Sequence, residues 1–221
     1  MFYIISSFMR QARTQQDQAV ALLGRRGMMR LSEFIRAGIT ATTVSRMERK
    51  GLITQLGRGL YQLPDAPLEA NHSLAEAAKL VPNGVICLDS ALAFHELTDR
   101  IPSRVWMAIG ARDWRPRITH PPIEIVRFGP KVFDSGREDH VIEHVRVPIY
   151  SPAKTVVDLF RHGRRRQAFH GAKTGLTHAI QGMKEALRLR KATPAEIARY
   201  ADEAGIWPKV QPYLEALTVD A

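Results

Sequence analysis

The residues of this 221-residue chain best suited to chemistry are Thr42, Thr43, Ser45, Arg46, Arg49 and Lys50, with hydroxyls first and cations last. A hydroxyl near a helix N-terminus can meet a phosphate or a base edge, and an arginine such as Arg46 can take guanine O6 and N7 with two parallel bonds. A seventh group, Arg58, stands between Gly57 and Gly59. Flanking glycines let a turn approach another backbone closely, so this guanidinium could reach a phosphate or the minor groove. The chemistry implied is noncovalent reading of duplex DNA.

Such groups need a scaffold that presents one helix face beside one turn. Leu31, Phe34 and Ile35 recur at helical spacing, and that helix is expected to stop at Gly38. Thr40 offers a hydroxyl cap to a second helix over 41–50, with Val44 and Met47 as its buried stripe and Gly51 ending it. Leu52–Leu56 and Leu60–Leu63 read as two short strands joined by Gly57-Arg58-Gly59. An earlier helix, Thr14–Leu23, would turn Ala19, Leu22 and Leu23 inward. Together they predict a winged helix-turn-helix over residues 12–65, whose recognition helix enters a major groove.

Charge agrees with an anionic partner. The net charge is +10, with a pI near 10.2. Residues 1–65 carry ten Lys/Arg against four Asp/Glu, whereas 66–160 carry eleven against twelve. Residues 161–191 carry nine against one, and 192–221 two against five. The second basic concentration is Arg161, Arg164, Arg165, Arg166 and Lys173. It reads either as a solvated helix end complementing the dipole near Gly163 or as an antitoxin or nucleic-acid surface.

Several function classes lack their residues. There is no carboxylate-x-carboxylate pair for a two-metal site, no phosphate-binding loop, and no CxxC or HExxH motif. No catalytic residue, cofactor or metal site is expected. His144 falls in a strand-like run, Val141–Val147, which His140 immediately precedes, and this is wrong for a helical ligand pair; His162, His170 and His178 read as solvated. Trp106, Trp114 and Trp207 are too far apart for an aromatic cage; packing or interface anchoring is their default. The lone Cys87, in an apolar run, reads as a buried structural thiol and suits a reducing cytoplasm. No apolar stretch approaches the roughly 20 residues of a membrane span. Met1–Met9 lacks a signal-peptide pattern, so residues 1–11 are expected to be a disordered or over-annotated start, with Met9 as an alternative initiator.

Pro64-Asp65-Ala66-Pro67 reads as a linker to a second domain, 68–221. Helices are expected at His72–Leu80 and from an Asp89 cap to about Leu97. Strands are expected at Gly84–Leu88, Arg104–Ile109, Ile123–Arg127 and Val141–Ile149, with a loop over 110–121. Ser151-Pro152 starts a buried helix ending at Gly163. Three further helices follow, one with Leu176, Ile180, Met183 and Leu187 as its stripe. The fold class is α+β: a winged helix, a mixed α/β region over 68–163, and a helical subdomain over 164–221.

The segments LLGRRGMMRLSEFIRAGITATTVSRMERKGLI, GRGLYQLP, HSLAEAAKLVPNGVICLDSALAFHELT, VPIYSPAKTVVDLFRHG and YLEAL, in this order, resemble the AbiEi antitoxins. The resemblance implies a transcriptional autorepressor that binds inverted repeats in double-stranded operator DNA. It also implies neutralisation of a cognate AbiEii-like nucleotidyltransferase toxin in a type IV, abortive-infection system of phage defence, with no stable complex required. Two other readings remain open: a winged-helix regulator with a C-terminal ligand-sensing domain, discriminated by the absence of a neighbouring toxin gene, and a degenerate nuclease, against which stands the lack of clustered acidic residues.

Overall fold

A computed structural model of the chain describes residues 14–170 and 174–219, with backbone alone at 163–170 and 174. The expected start at 1–11 therefore lies outside the described residues. The chain divides into two compact units, Met1–Glu69 with Glu143–Val145, and Ala70–Ile142 with Arg146–Ala221. No helix among the described residues is long and apolar enough to cross a membrane.

The first unit is a winged helix. It runs α1 (Gln15–Arg26), β1 (Met28–Arg30), α2 (Leu31–Arg36), α3 (Ala41–Arg49), β2 (Thr54–Gly57) and β3 (Leu60–Gln62). Thr14 starts α1 with a reciprocal cap: its hydroxyl accepts from Asp17 N at 3.2 Å, and the Asp17 carboxylate accepts from Thr14 N at 3.0 Å. After α2 the chain turns through Gly38 at φ +82°, and Ile39 N donates back to Phe34 O at 2.9 Å. The core gathers Ala19, Leu23, Met29, Phe34, Ile39, Val44, Met47, Ile53 and Tyr61. Ile35, expected inside, is 54 % exposed; Phe34 alone of that helix is fully buried. β1 escaped the sequence reading because three residues cannot display alternation. It exists because β3 has two edges, and Met29 and Gln55 flank Tyr61 in the antiparallel order β1-β3-β2.

The second unit mixes sheet and helices, which makes the chain α+β. Its elements are α4 (His72–Leu80), β4 (Val85–Ile86), α5 (Leu88–Phe94), β5 (Val105–Gly110), β6 (Ile123–Phe128), α6 (Pro130–Phe133), β7 (Arg137–Ile142) and β8 (Val145–Tyr150). They are followed by α7 (Pro152–His170), α8 (Thr174–Arg188), α9 (Pro194–Glu203) and α10 (Trp207–Thr218). The sheet order is β6-β5-β4-β8-β7, with β5–β6 and β4–β8 parallel and β4–β5 antiparallel. Val85, Trp106, Phe128, Tyr150 and the inner faces of α7 to α10 form one core.

Four local expectations change. α7 does not end at Gly163 but continues to His170. An interior glycine costs only about 1 kcal/mol against alanine, and the helix formers that follow it, together with packing of α7 along α8 and α9, outweigh that cost. Arg164–Arg166 therefore lie within α7, and the helix-end explanation at Gly163 fails. Asp89 is not the cap of α5: Cys87 holds that position, and Asp89 instead faces His178, Oδ1 to Nδ1 at 3.3 Å. The single strand Val141–Ile149 is two strands, β7 and β8, because Glu143 and His144 turn at positive φ. In α8 the buried stripe is Ala179, Met183 and Ala186, while Leu176 is 46 % exposed. Gly182 lets this helix approach α5, since a Cβ there would come within 2.9 Å of Leu92 Cδ1.

Candidate nucleic-acid interface

Recognition of DNA requires α3 to be rigid on one face and polar on the other. Val44 and Met47 are buried in the unit's core, which fixes the helix roll. Thr42, Ser45, Arg46, Arg49 and Lys50 are consequently exposed. Spacings of three, four and seven residues put Thr42, Ser45, Arg46 and Arg49 on one helical surface. Arg49 Nε makes a long contact, 3.4 Å, to Ser45 O, and Arg46 meets no carboxylate among the described residues. Nine residues give a rod about 13 Å long, a size the major groove admits.

Thr43 has a different position. Its side chain is half-buried; its hydroxyl donates to Gln15 Oε1 at 2.8 Å and lies 3.0 Å from Thr40 Oγ1. The same Gln15 oxygen accepts from Thr40 N at 3.2 Å, and Gln15 Nε2 donates to Gly38 O at 3.2 Å. Gln15 thus ties α1 to the turn that launches α3. Sequence reasoning missed it, since a glutamine at a helix start carries no local signal for a partner 25 residues away. Thr40 caps α3 as expected, accepting from Thr43 N at 3.2 Å.

Arg58 is exposed at the tip of the β2–β3 hairpin. Gly57 pairs with Leu60, and Gly59 takes φ +70°, a region in which a side chain is strained. Between Arg36 and Gln62 the chain holds five cations and one carboxylate, Glu48. The first unit thus offers a helix face and a wing tip of one charge sign.

The second basic concentration is only partly described. Arg161 is exposed on α7. The side chains of Arg164, Arg165, Arg166 and Lys173 lie outside the described residues, as does that of His170. His162 and His178, expected in solvent, are 8 % and 5 % exposed. His162 stacks on Phe128 with centroids 4.9 Å apart, and His178 meets Asp89 and Thr98. Cys87 is buried, as expected of a structural thiol.

The strongest polar feature of this unit went unread. Lys154 and Asp158, one turn apart on α7, form an ion pair with 2 % and 0 % of their side chains exposed. Lys154 Nζ also lies 4.6 Å and 5.0 Å from the ring centres of Tyr150 and Phe128. Burial pushes the lysine pKa down and the aspartate pKa up, each against the pull of its partner. Burial likewise raises the Tyr150 hydroxyl, which donates to Phe133 O at 2.7 Å. Gly136, at φ +71°, must be glycine to pass Lys154, because a Cβ would sit 2.7 Å from the lysine Cβ. The i,i+4 spacing of opposite charges within the apolar first half of α7, Pro152–Phe160, was the available signal. The pair is enclosed by Phe128, Tyr150 and Gly136, so its evident role is to hold α7 against the sheet. No group of three or more potential metal ligands occurs among the described residues.

With this geometry in place, comparison with known proteins narrows the reading. Residues 17–64 match the model of the family described as transcriptional regulator, AbiEi antitoxin. The winged unit is thus similar to the regulator segment of the AbiEi antitoxins. The match runs from within α1 to just past β3, so it contains both the α3 face and the wing. No curated protein matches the chain. The crystal structure of the RV2827C protein from Mycobacterium tuberculosis is similar in fold, with a TM-score of 0.58 at 14 % identity, over 93 % of this chain and 78 % of that one.

Proposed function

We propose that the chain is an AbiEi-type antitoxin and autorepressor, binding inverted repeats in operator DNA through its first unit and counteracting an AbiEii-like nucleotidyltransferase toxin through its second. The observation that carries the DNA half is the exposed α3 face, held by Val44, Met47 and Gln15 beside the Arg58 wing. Thr42, Ser45, Arg46, Arg49, Lys50 and Arg58 make the DNA contacts; Thr43 joins them through its cap-side position or serves only to seat α3. The family match over residues 17–64 supports the regulator and antitoxin roles together. Arg161, Arg164, Arg165, Arg166 and Lys173 form the surface for neutralisation. The system is of type IV, acting in phage defence without a stable antitoxin–toxin complex.

Deletion and co-expression test this division. A chain lacking residues 1–63 should lose operator repression yet restore growth to cells expressing the neighbouring toxin gene, because the second unit has a core of its own. Charge reversal at Arg164, Arg165 and Arg166 should impair that rescue with the circular dichroism unchanged. A folded, expressed truncation that gives no rescue contradicts the two-module reading.

A further inference from the structure

The connection between β5 and β6 carries an aromatic side chain that packing leaves bare. Trp114 is 83 % exposed, whereas Trp106 is buried at 6 % and Trp207 packs against the core. The loop around it is not slack. Asp113 N donates to Gly110 O at 3.1 Å, and the Asp113 carboxylate accepts from Gly110 N at 2.9 Å. From the edge strand β6, Arg127 Nη2 donates to Asp113 O at 2.8 Å. On the other side of Trp114 in sequence, Arg115 Nη2 lies 3.7 Å from Glu124 Oε1 on the same strand. Trp114 is therefore held between two anchors along the sheet edge. Covering that edge explains the loop's course; it does not explain an indole turned to solvent.

The surroundings are cationic. Residues 104–127 include Arg104, Arg112, Arg115, Arg117 and Arg127 against Asp113 and Glu124. All five arginines are exposed, and Arg112 and Arg117 meet no carboxylate among the described residues. The near-zero charge of residues 66–160 as a whole conceals this local excess.

We propose that the β5–β6 loop is a platform for single-stranded nucleic acid, with Trp114 stacking on one base and Arg112, Arg115 and Arg117 on the adjoining phosphates. An exposed indole in a loop with three exposed arginines within three residues of it matches the two surfaces of an unpaired strand, a free base face and a charged backbone. A duplex offers only the second, since its base faces are closed. A protein partner would call for a continuous apolar patch around the indole, whereas the neighbouring Pro116 and Ile118 are half-buried and the exposed side chains beside them are Arg115 and Arg117. DNA and RNA share the required chemistry, and the 2′-hydroxyl separates them.

The test uses the full chain with labelled single strands of about 12 nucleotides, oligo-dT and oligo-rU, and a mixed-sequence duplex of about 20 base pairs. Trp114→Ala should weaken single-strand binding about tenfold or more, as loss of one base–aromatic stack requires, and change duplex binding less than about twofold. Trp114→Phe should keep most single-strand affinity while removing the quenching of tryptophan emission that binding causes, because Trp106 is shielded in the core and Trp207 packs against it. A tighter rU arm assigns the site to RNA, a tighter dT arm to unpaired DNA. Unchanged single-strand affinity in Trp114→Ala overturns the proposal. So does an equal loss on both probes, which reduces the loop to a backbone contact. Alanine at Arg46 and Arg58 affects the duplex arm alone, so failure of the winged-helix reading is distinguishable from failure of this one.

Discussion

Lys154→Met should lower the free energy of unfolding by about 3–5 kcal/mol, the cost of leaving a buried carboxylate without its counter-ion. Asp158 is fully buried and its Oδ1 has no hydrogen-bond partner among the described residues, so Lys154 carries most of its compensation. The ammonium also loses its positions over Tyr150 and Phe128. Lys154→Met combined with Asp158→Leu should recover most of the loss, since a buried pair replaced by apolar groups of similar volume is often neutral or stabilising. Urea unfolding of the parent, both single variants and the double variant measures the coupling. Equal destabilisation of single and double variants would assign the effect to the lysine's packing on the rings instead.

The second large effect divides labour on the winged helix. Arg46→Ala should cost about 1–3 kcal/mol at one base position of the operator and relax discrimination there. Arg58→Ala should weaken binding to all sequences alike, because a hairpin tip meets backbone or groove rather than one base edge. Affinities across single-base operator variants decide between these roles. A uniform loss for Arg46→Ala would make Arg46 a phosphate contact.

How far the chain could be read from residues alone depends on whether the deciding interaction is local. The cap residues Thr14, Thr40, Ser151 and Thr193 each act within three or four positions, and the helices they start were legible. Gly38 and Gly59 adopt the positive φ that their turns require. Gln15, β1 and the burial of His162 and His178 depend on partners distant in sequence, and no periodicity announces them. The end expected at Gly163 shows the reverse error: a local breaker was overruled by helix packing. Exposure of Trp114 was equally invisible, because apolar content says nothing of which aromatic remains outside.

The most direct measurement of the central claim is duplex affinity as a function of salt, for the full chain and for a variant with Arg46, Arg49 and Arg58 changed to alanine. Each phosphate neutralised contributes about −0.9 to the slope of log K against log salt. The parent should bind tightly at low salt with a slope steeper than the variant's by about 2–3, and the variant should lose affinity at every salt concentration. A variant that keeps both the parent's affinity and its slope would contradict recognition of DNA through the α3 face and the wing.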